Sequence, residues 1–204
     1  MKQKLRQLQT RLLDYAVKRG AQDQLQTRAE FFTARFENDL AANSRVLDIG
    51  GHWGFYAAPL EKRGHKPVVL DVVKPGFQKA PVVIYDGVRM PFDNKSFDSS
   101  LLITVLHHIE DQESVLREAC RVTRKRIIVV EDLYRHSLGR FWTILRDRFY
   151  NFEWIGHPCG FRTQEEWTVL FNKLGMKLER FEAVKTTLCG LAIMNGIFVL
   201  EVKA

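Results

Sequence analysis

Three glycines fall within five residues in Gly50-Gly51-His52-Trp53-Gly54, between the apolar run Val46–Ile49 and a second apolar, helix-compatible run from Phe55 to Leu60. A chain that leaves a strand, turns through glycines and enters a helix presents free backbone N–H groups at the helix start. The missing Cβ atoms let a ligand lie against that turn. Two carboxylates are placed to serve such a ligand. Asp48 sits just before the glycines, and Asp71 ends the next apolar run. Asp71 comes 21 residues after Gly50, close to the roughly 20 expected of an acid that reaches a ribose. The chemistry indicated is the holding of a nucleotide-like cofactor. For proton transfer the candidates are the adjacent imidazoles His107 and His108, and, further along, the lone His157 beside Pro158. No grouping of His, Cys, Asp and Glu has metal-ligand spacing, so no metal is expected.

The elements that must position these residues read as alternating strands and helices. Strands fit 45–50, 67–71, 81–85, 97–104 and 126–131, and helices fit 54–63 and 111–123, with an irregular crossover near 75–79. Such alternation implies a parallel sheet with right-handed crossovers. In the 111–123 helix Val115, Leu116, Ala119 and Val122 form the apolar face, and Asp111 is a natural N-cap. Thr163-Gln-Glu-Glu166 is a capping box, with Trp167, Leu170, Phe171 and Leu174 turned to the core and Gly175 as the stop. Strands at 177–184 and 194–203 close the sheet. Ahead of the first strand, Leu5, Leu8, Leu12 and Ala16 fit a helix over 1–19 that stops at Gly20, and a second helix fits 23–40. The least regular stretch is 133–160. There Phe141, Trp142, Leu145 and Phe149 share a helical face, interleaved with Arg140, Arg146 and Arg148, and a loop follows.

At 204 residues the chain suits one α/β domain. A formal net charge of +7 favours anionic partners without identifying nucleic acid. Three widely spaced cysteines, with no C-x-x-C pair, read as free thiols of a reducing compartment, and no apolar run approaches the roughly 18 residues of a membrane span. The expected location is the cytoplasm.

Val46-Leu-Asp-Ile-Gly-Gly-His-Trp-Gly54, Val68-Val-Leu-Asp71, Tyr85-Asp-Gly-Val-Arg-Met-Pro-Phe92 and Phe97–Asp111 resemble, in order and spacing, the core of class I S-adenosylmethionine-dependent methyltransferases of the small-molecule, type 11-like kind. Phe161–Trp167 extends the resemblance. It implies a Rossmann-like, mostly parallel seven-stranded sheet in the order 3-2-1-4-5-7-6, its last strand antiparallel, with helices on both faces. It divides the single domain into a helical cap (1–40), a cofactor-binding core (45–131), a lid or substrate insertion (133–160) and a C-terminal helix with closing strands (163–204). It also assigns roles around S-adenosyl-L-methionine. Gly50, Gly51 and Gly54 form the loop, lined by His52 and Trp53. Asp48 sits near the cofactor's amino group and Asp71, with Val72 beside it, takes the ribose hydroxyls. Asp86 takes the adenine amine, flanked by Gly87 and Val88, and Leu102, Ile103 and Thr104 wall the methionine part. His107 and His108 stand where a base would. Apart from the resemblance, the composition of the 133–160 stretch sets the expectation that Phe141, Trp142 and His157 face the substrate. The chain departs from the family where His52 stands in place of the usual glycine.

The implied reaction is methyl transfer to oxygen, nitrogen or carbon of a small molecule. Positioning then matters more than acid–base groups, because the sulfonium is already activated. Three alternatives remain. A nicotinamide site would need glycine where His52 and Phe55 stand. A nucleic-acid methyltransferase finds only basic residues interrupted by core positions, and the fourth strand lacks an amine-gripping D/N-P-P-Y. A degenerate domain would bind without turning over. The basic, aromatic 140–150 helix also fits transient contact with an anionic membrane surface. The favoured expectation is a lid whose aromatic face closes over the substrate.

Overall fold

The computed structural model of the protein describes residues 11–151, 158–188 and 190–203. Seven strands form one sheet: β1 (Arg45–Ile49), β2 (Lys66–Asp71), β3 (Val82–Ile84), β4 (Phe97–Ile103), β5 (Thr123–Asp132), β6 (Met176–Leu188) and β7 (Leu191–Val202). Their order is β3-β2-β1-β4-β5-β7-β6, as the resemblance implies. β1 to β5 pair in parallel, and β7 runs antiparallel to both β5 and β6. The helices are α1 (Gln22–Phe36), α2 (Ala57–Lys62), α3 (Gln112–Val122), α4 (Ser137–Asn151) and α5 (Gln164–Lys173).

The central strands read as unbroken apolar runs because both faces of a parallel sheet are covered. Alternate residues serve opposite layers. Leu47, Ile49, Leu102, Ile127 and Val129 pack with the apolar faces of α3 and α5. Val46, Leu101, Ile103, Ile128 and Val130 pack with Phe32 and Phe36 of α1 and Leu60 of α2. Each such side chain contributes about 1.5–3 kcal/mol by leaving water. The strand order reverses between β1 and β4. This opens a crevice at their C-terminal ends, where an α/β sheet holds its ligand.

Several boundaries differ from the sequence expectation. Gly20 does not stop a helix: residues 11–16 are helical, a π-helical turn Val17–Ala21 follows, and α1 continues to Phe36 before a 3-10 turn Glu37–Asp39. Nothing lies within 4 Å of the place a Gly20 side chain would take, so the backbone passes through without needing a special conformation. β5 begins at Thr123, directly at the end of α3, three residues earlier than its apolar core indicates. The capping box at Thr163 and Glu166 forms as expected, and Gly175 takes φ +81° where the chain turns into β6. Cys120 and Cys159 form no disulfide among the described residues, while Cys189 and His157 lie outside them. Among the described residues no helix is long and apolar enough to cross a membrane.

Candidate active site

At the end of β1 the chain rises into the turn Gly50–Gly54. Gly50 adopts φ +74°, and a Cβ there would sit 2.3 Å from Cγ2 of Val105, so the turn is closed against the loop after β4 by the absence of a side chain. A Cβ on Gly51 would meet Asp48 Oδ2 at 2.3 Å. His52 takes the turn's next left-handed position at φ +41°. Its imidazole does not plug the space in front of the glycines. It lies against Trp53, ring centroids 4.2 Å apart, and both form wall around a cavity of about 560 Å³. Burial pushes the His52 pKa down, against the opposing pull of Asp71 and Asp14, so the ring is neutral.

Trp53 ties the turn to the N-terminal helical stretch. Its Nε1–H donates to Asp14 Oδ1 at 2.7 Å, and Asp14 Oδ2 accepts from the Gly76 N–H at 2.7 Å. Trp53 also stacks on Phe77. No feature of the sequence around Asp14 marks it, because its partners lie in two other segments of the chain.

Three carboxylates expected at the cofactor take three different environments. Asp71 ends β2 with Oδ2 accepting the His52 N–H at 3.0 Å and Oδ1 accepting the Val73 N–H at 2.9 Å. The acid and the glycine turn are thus joined by one hydrogen bond on the cavity wall. Asp48 is 1% exposed, and its Oδ2 has no hydrogen-bond partner. Burial, reinforced by the Asp71 charge, pushes its pKa up to about 7. Asp86 is exposed and turns back on its own loop, accepting from the Val88 and Arg89 N–H groups at 2.9 and 3.1 Å. Those bonds hold its pKa below the usual carboxylate value. Asp86 and Val88 do not line the cavity, whereas Gly87, Val72 and Tyr85 do.

Ile103 and Thr104 also line it, while Leu102 is fully buried in the opposite core layer, as strand alternation requires. Thr104 holds φ +50°, a strained place for a β-branched residue, fixed by its N–H donating to Val130 O at 2.7 Å. Gly54 lies behind the wall, against Ala80 and Val69.

The far wall is polar. Glu131, at the end of β5 and 0% exposed, accepts the Val105 and Leu106 N–H groups at 3.0 and 2.7 Å and binds His107 Nδ1 at 2.5 Å. The other His107 nitrogen lies 3.4 Å from Asp147 Oδ1, and the ring stacks on Phe161. Burial alone would lower the His107 pKa. The two carboxylates overcome it and hold the pKa well above the ordinary value, so the ring is an imidazolium at neutral pH. His108 is partly exposed, with Nε2 4.0 Å from Asp147. His107, His108 and Asp147 offer ligand-type atoms within 4.8 Å of one another, a grouping that could hold a cation only with the His107 ring deprotonated. Spacing in the sequence could not show this grouping, since Asp147 arrives from α4. A second chain of bonds runs behind it: Arg146 to Asp132 at 2.5 Å, Asn195 to Asp132 at 2.6 Å, Thr186 to Asn195 at 2.6 Å and Arg28 to Thr186 at 2.8 Å.

The aromatic residues expected over the substrate are turned away from it. Phe141 and Trp142 are 62% and 59% exposed and do not line the cavity. α4 instead presents Arg146, Asp147 and Tyr150 inward, because Asp132, the two histidines and the Leu188 carbonyl are the partners waiting there. Glu131 and Asp132 were open to discovery from sequence, as acids that end the apolar run Ile127–Val130 at the C-terminal edge of a parallel strand. Arg28, Arg146 and Asp147 carry no such mark.

Residues 47–130 match the family model described as a methyltransferase domain. Among curated relatives, a demethylmenaquinone methyltransferase of Streptomyces griseus is 29% identical over 102 residues, covering 46% of this chain and 44% of that protein. The Corynebacterium efficiens protein of the same name is 31% identical over 100 residues, covering 46% and 44%. The chain therefore spans less than half the length of the curated relatives it matches. Among solved structures, a SAM-dependent methyltransferase of Thermotoga maritima aligns with TM-score 0.66 at 19% identity, covering 95% of this chain and 99% of that one. The 1,6-didemethyltoxoflavin-N1-methyltransferase of Burkholderia thailandensis, solved with bound 1,6-didemethyltoxoflavin and S-adenosylhomocysteine, aligns with TM-score 0.63 at 15% identity, covering 88% of this chain and 79% of that one. The fold is that of S-adenosylmethionine-dependent methyltransferases.

Proposed function

We propose that the protein binds S-adenosyl-L-methionine in the cavity and transfers its methyl group to a small molecule. The observation that carries this is the joint between Asp71 and the glycine turn: a carboxylate at the end of β2, 3.0 Å from the His52 N–H, on the wall of a cavity of about 560 Å³. The residues fit the cofactor. The glycine turn puts main chain on the cavity wall, and Asp48 Oδ2 is a buried acceptor without a partner, suited to an ammonium group. Asp71 would take the ribose hydroxyls, Gly87, Val72 and Tyr85 would flank the adenine, and Ile103 and Thr104 would wall the methionine part. When bound, S-adenosylmethionine supplies an activated methyl on a neutral leaving group.

This chain's own residues orient and enclose. Glu131 fixes the Thr104–His108 loop through two backbone bonds, and the His107 imidazolium, already protonated, positions Asp147 rather than accepting a proton. His108 is the imidazole left to take a proton from a substrate hydroxyl or amine. Leu13, Leu25, Leu188 and Ile193 give the remaining cavity an apolar lining. Together with relatives named for demethylmenaquinone and 1,6-didemethyltoxoflavin, that lining supports a small apolar or ring-containing acceptor.

The test is formation of S-adenosylhomocysteine from S-adenosylmethionine in the presence of hydroxylated naphthalene and heteroaromatic acceptors. Turnover with one acceptor class supports the proposal. Cofactor binding without turnover on any acceptor would favour the non-catalytic module. RNA as the productive acceptor would replace the small-molecule assignment.

A further inference from the structure

α4 is built inside out. Leu138, Phe141, Trp142, Leu145 and Phe149 recur at helical spacing, fall within about 100° of one another around the helix at 3.6 residues per turn, and are all exposed, Leu138 at 74% and Phe149 at 62%. The buried residues of the same helix are Thr143, Arg146 and Asp147. An ordinary surface helix does the reverse. An aromatic stripe left in water while an arginine and an aspartate go inside points to an outer face completed by something apolar.

We propose that this face of α4 docks on an anionic lipid bilayer, and that the cavity under its inner face takes its apolar substrate from that surface. The charge pattern selects lipid over protein. Asp147 is the only acid in the 133–151 segment and is buried, whereas Arg135, just ahead of α4, and Arg140, in its first turn, are exposed. The chain as a whole carries +7. A second copy carries the same excess of positive charge and is repelled on approach, which is unfavourable, whereas anionic headgroups are attracted by it. Phe and Trp on a cationic helix are the side chains that settle at the boundary of headgroup and acyl chain. The β6–β7 hairpin adds an apolar residue at its tip, where Leu191 is exposed. That hairpin is bound to the inner face of α4 through Tyr150 Oη donating to the Leu188 carbonyl at 2.5 Å. Docking itself is independent of the proposed activity; only the delivery of substrate rests on it.

The experiment is sedimentation of the full chain with vesicles of phosphatidylcholine alone and of an equimolar mixture with phosphatidylglycerol. The wild-type protein should bind the mixed vesicles, more weakly as salt rises, and bind the neutral ones poorly. Phe141→Ser with Trp142→Ser should weaken binding about tenfold or more, from the apolar area withdrawn from the interface. Val169→Ser, an exposed apolar residue on α5, should leave it unchanged. Thermal melting and S-adenosylhomocysteine titration of the double variant check that loss of vesicle binding is not loss of fold. No binding to mixed vesicles, or equal binding by the double variant, would overturn the proposal. So would a wild-type dimer that the double variant abolishes, which would assign the stripe to a second copy. A vesicle-binding protein that ignores S-adenosylhomocysteine would remove the methyltransferase and leave the docking face standing.

Discussion

On the β1–β2 side of the cavity the wall is built on main chain: glycines without side chains, N–H groups, and the carboxylates of Asp71 and Asp48 held beside them, with His52 and Trp53 packed at the edge. On the α4 side the wall is all side chain, with Glu131, His107, Asp147, Arg146 and Asp132 satisfying one another in the interior and the aromatic residues left outside. The first wall depends on backbone conformation and tolerates no added atoms. The second depends on paired charges, where removing one member strands another. Local sequence specifies the first kind well, and only the assembled fold brings the second together.

The contrast is most sharply broken at Glu131. Glu131→Ala strips a buried imidazolium and two N–H groups of their acceptor, and a loss of about 3–5 kcal/mol in urea unfolding is expected. An exposed ion pair would show a loss below about 1 kcal/mol. Next comes Gly50→Ala, where the left-handed backbone alone costs about 1–3 kcal/mol. The new Cβ would also press on Val105, so cofactor binding should fall with stability. Unchanged binding in calorimetry would mean that the turn does not hold the cofactor.

Asp48 gives a pH signature. An acid whose folded pKa is about 7, raised above its ordinary 3.8, keeps its proton in the native state after the unfolded chain has lost it. Between about pH 4 and 7 the native state binds more protons, so this residue's contribution to stability falls as pH rises through that window. Asp48→Asn should flatten that part of the profile and be more stable than wild type near pH 8, read from melting temperatures across pH. Parallel profiles would place Asp48 in a wetter or better-paired environment than its burial implies.

The smallest effect separates two uses of one acid. Asp86→Ala should leave the melting temperature almost unchanged, since the side chain is exposed and serves two turn N–H groups. Cofactor affinity should fall only if Asp86 also reaches the adenine amine, which makes that affinity the informative number.

The sheet was legible because each parallel strand carries its own apolar run and each crossover its own turn or cap. Asp111, the capping box at Thr163 and Gly175 all act within a few residues of themselves. The strand order followed from resemblance over the core, which no periodicity could give. Asp48, Gly51, His52, Asp71 and Thr104 line the cavity because a strand end and the turn after it are placed by the sheet itself. The face of α4 was read the wrong way round for a physical reason. Periodicity shows which residues share a stripe, but the direction of the stripe was decided by buried charges at Asp132 and His107 that lie in other elements. Gly20 misled in a similar way, as a helix passed through it on a π turn.

Calorimetric titration with S-adenosylhomocysteine, run on the wild-type chain and on Asp71→Ala, probes the carboxylate–glycine joint without needing the acceptor. A single saturable site is expected in the wild type, weakened in the variant by about 1.5–3 kcal/mol, the worth of a charge-assisted hydrogen bond. No heat at millimolar ligand, or equal affinity in both proteins, would contradict it.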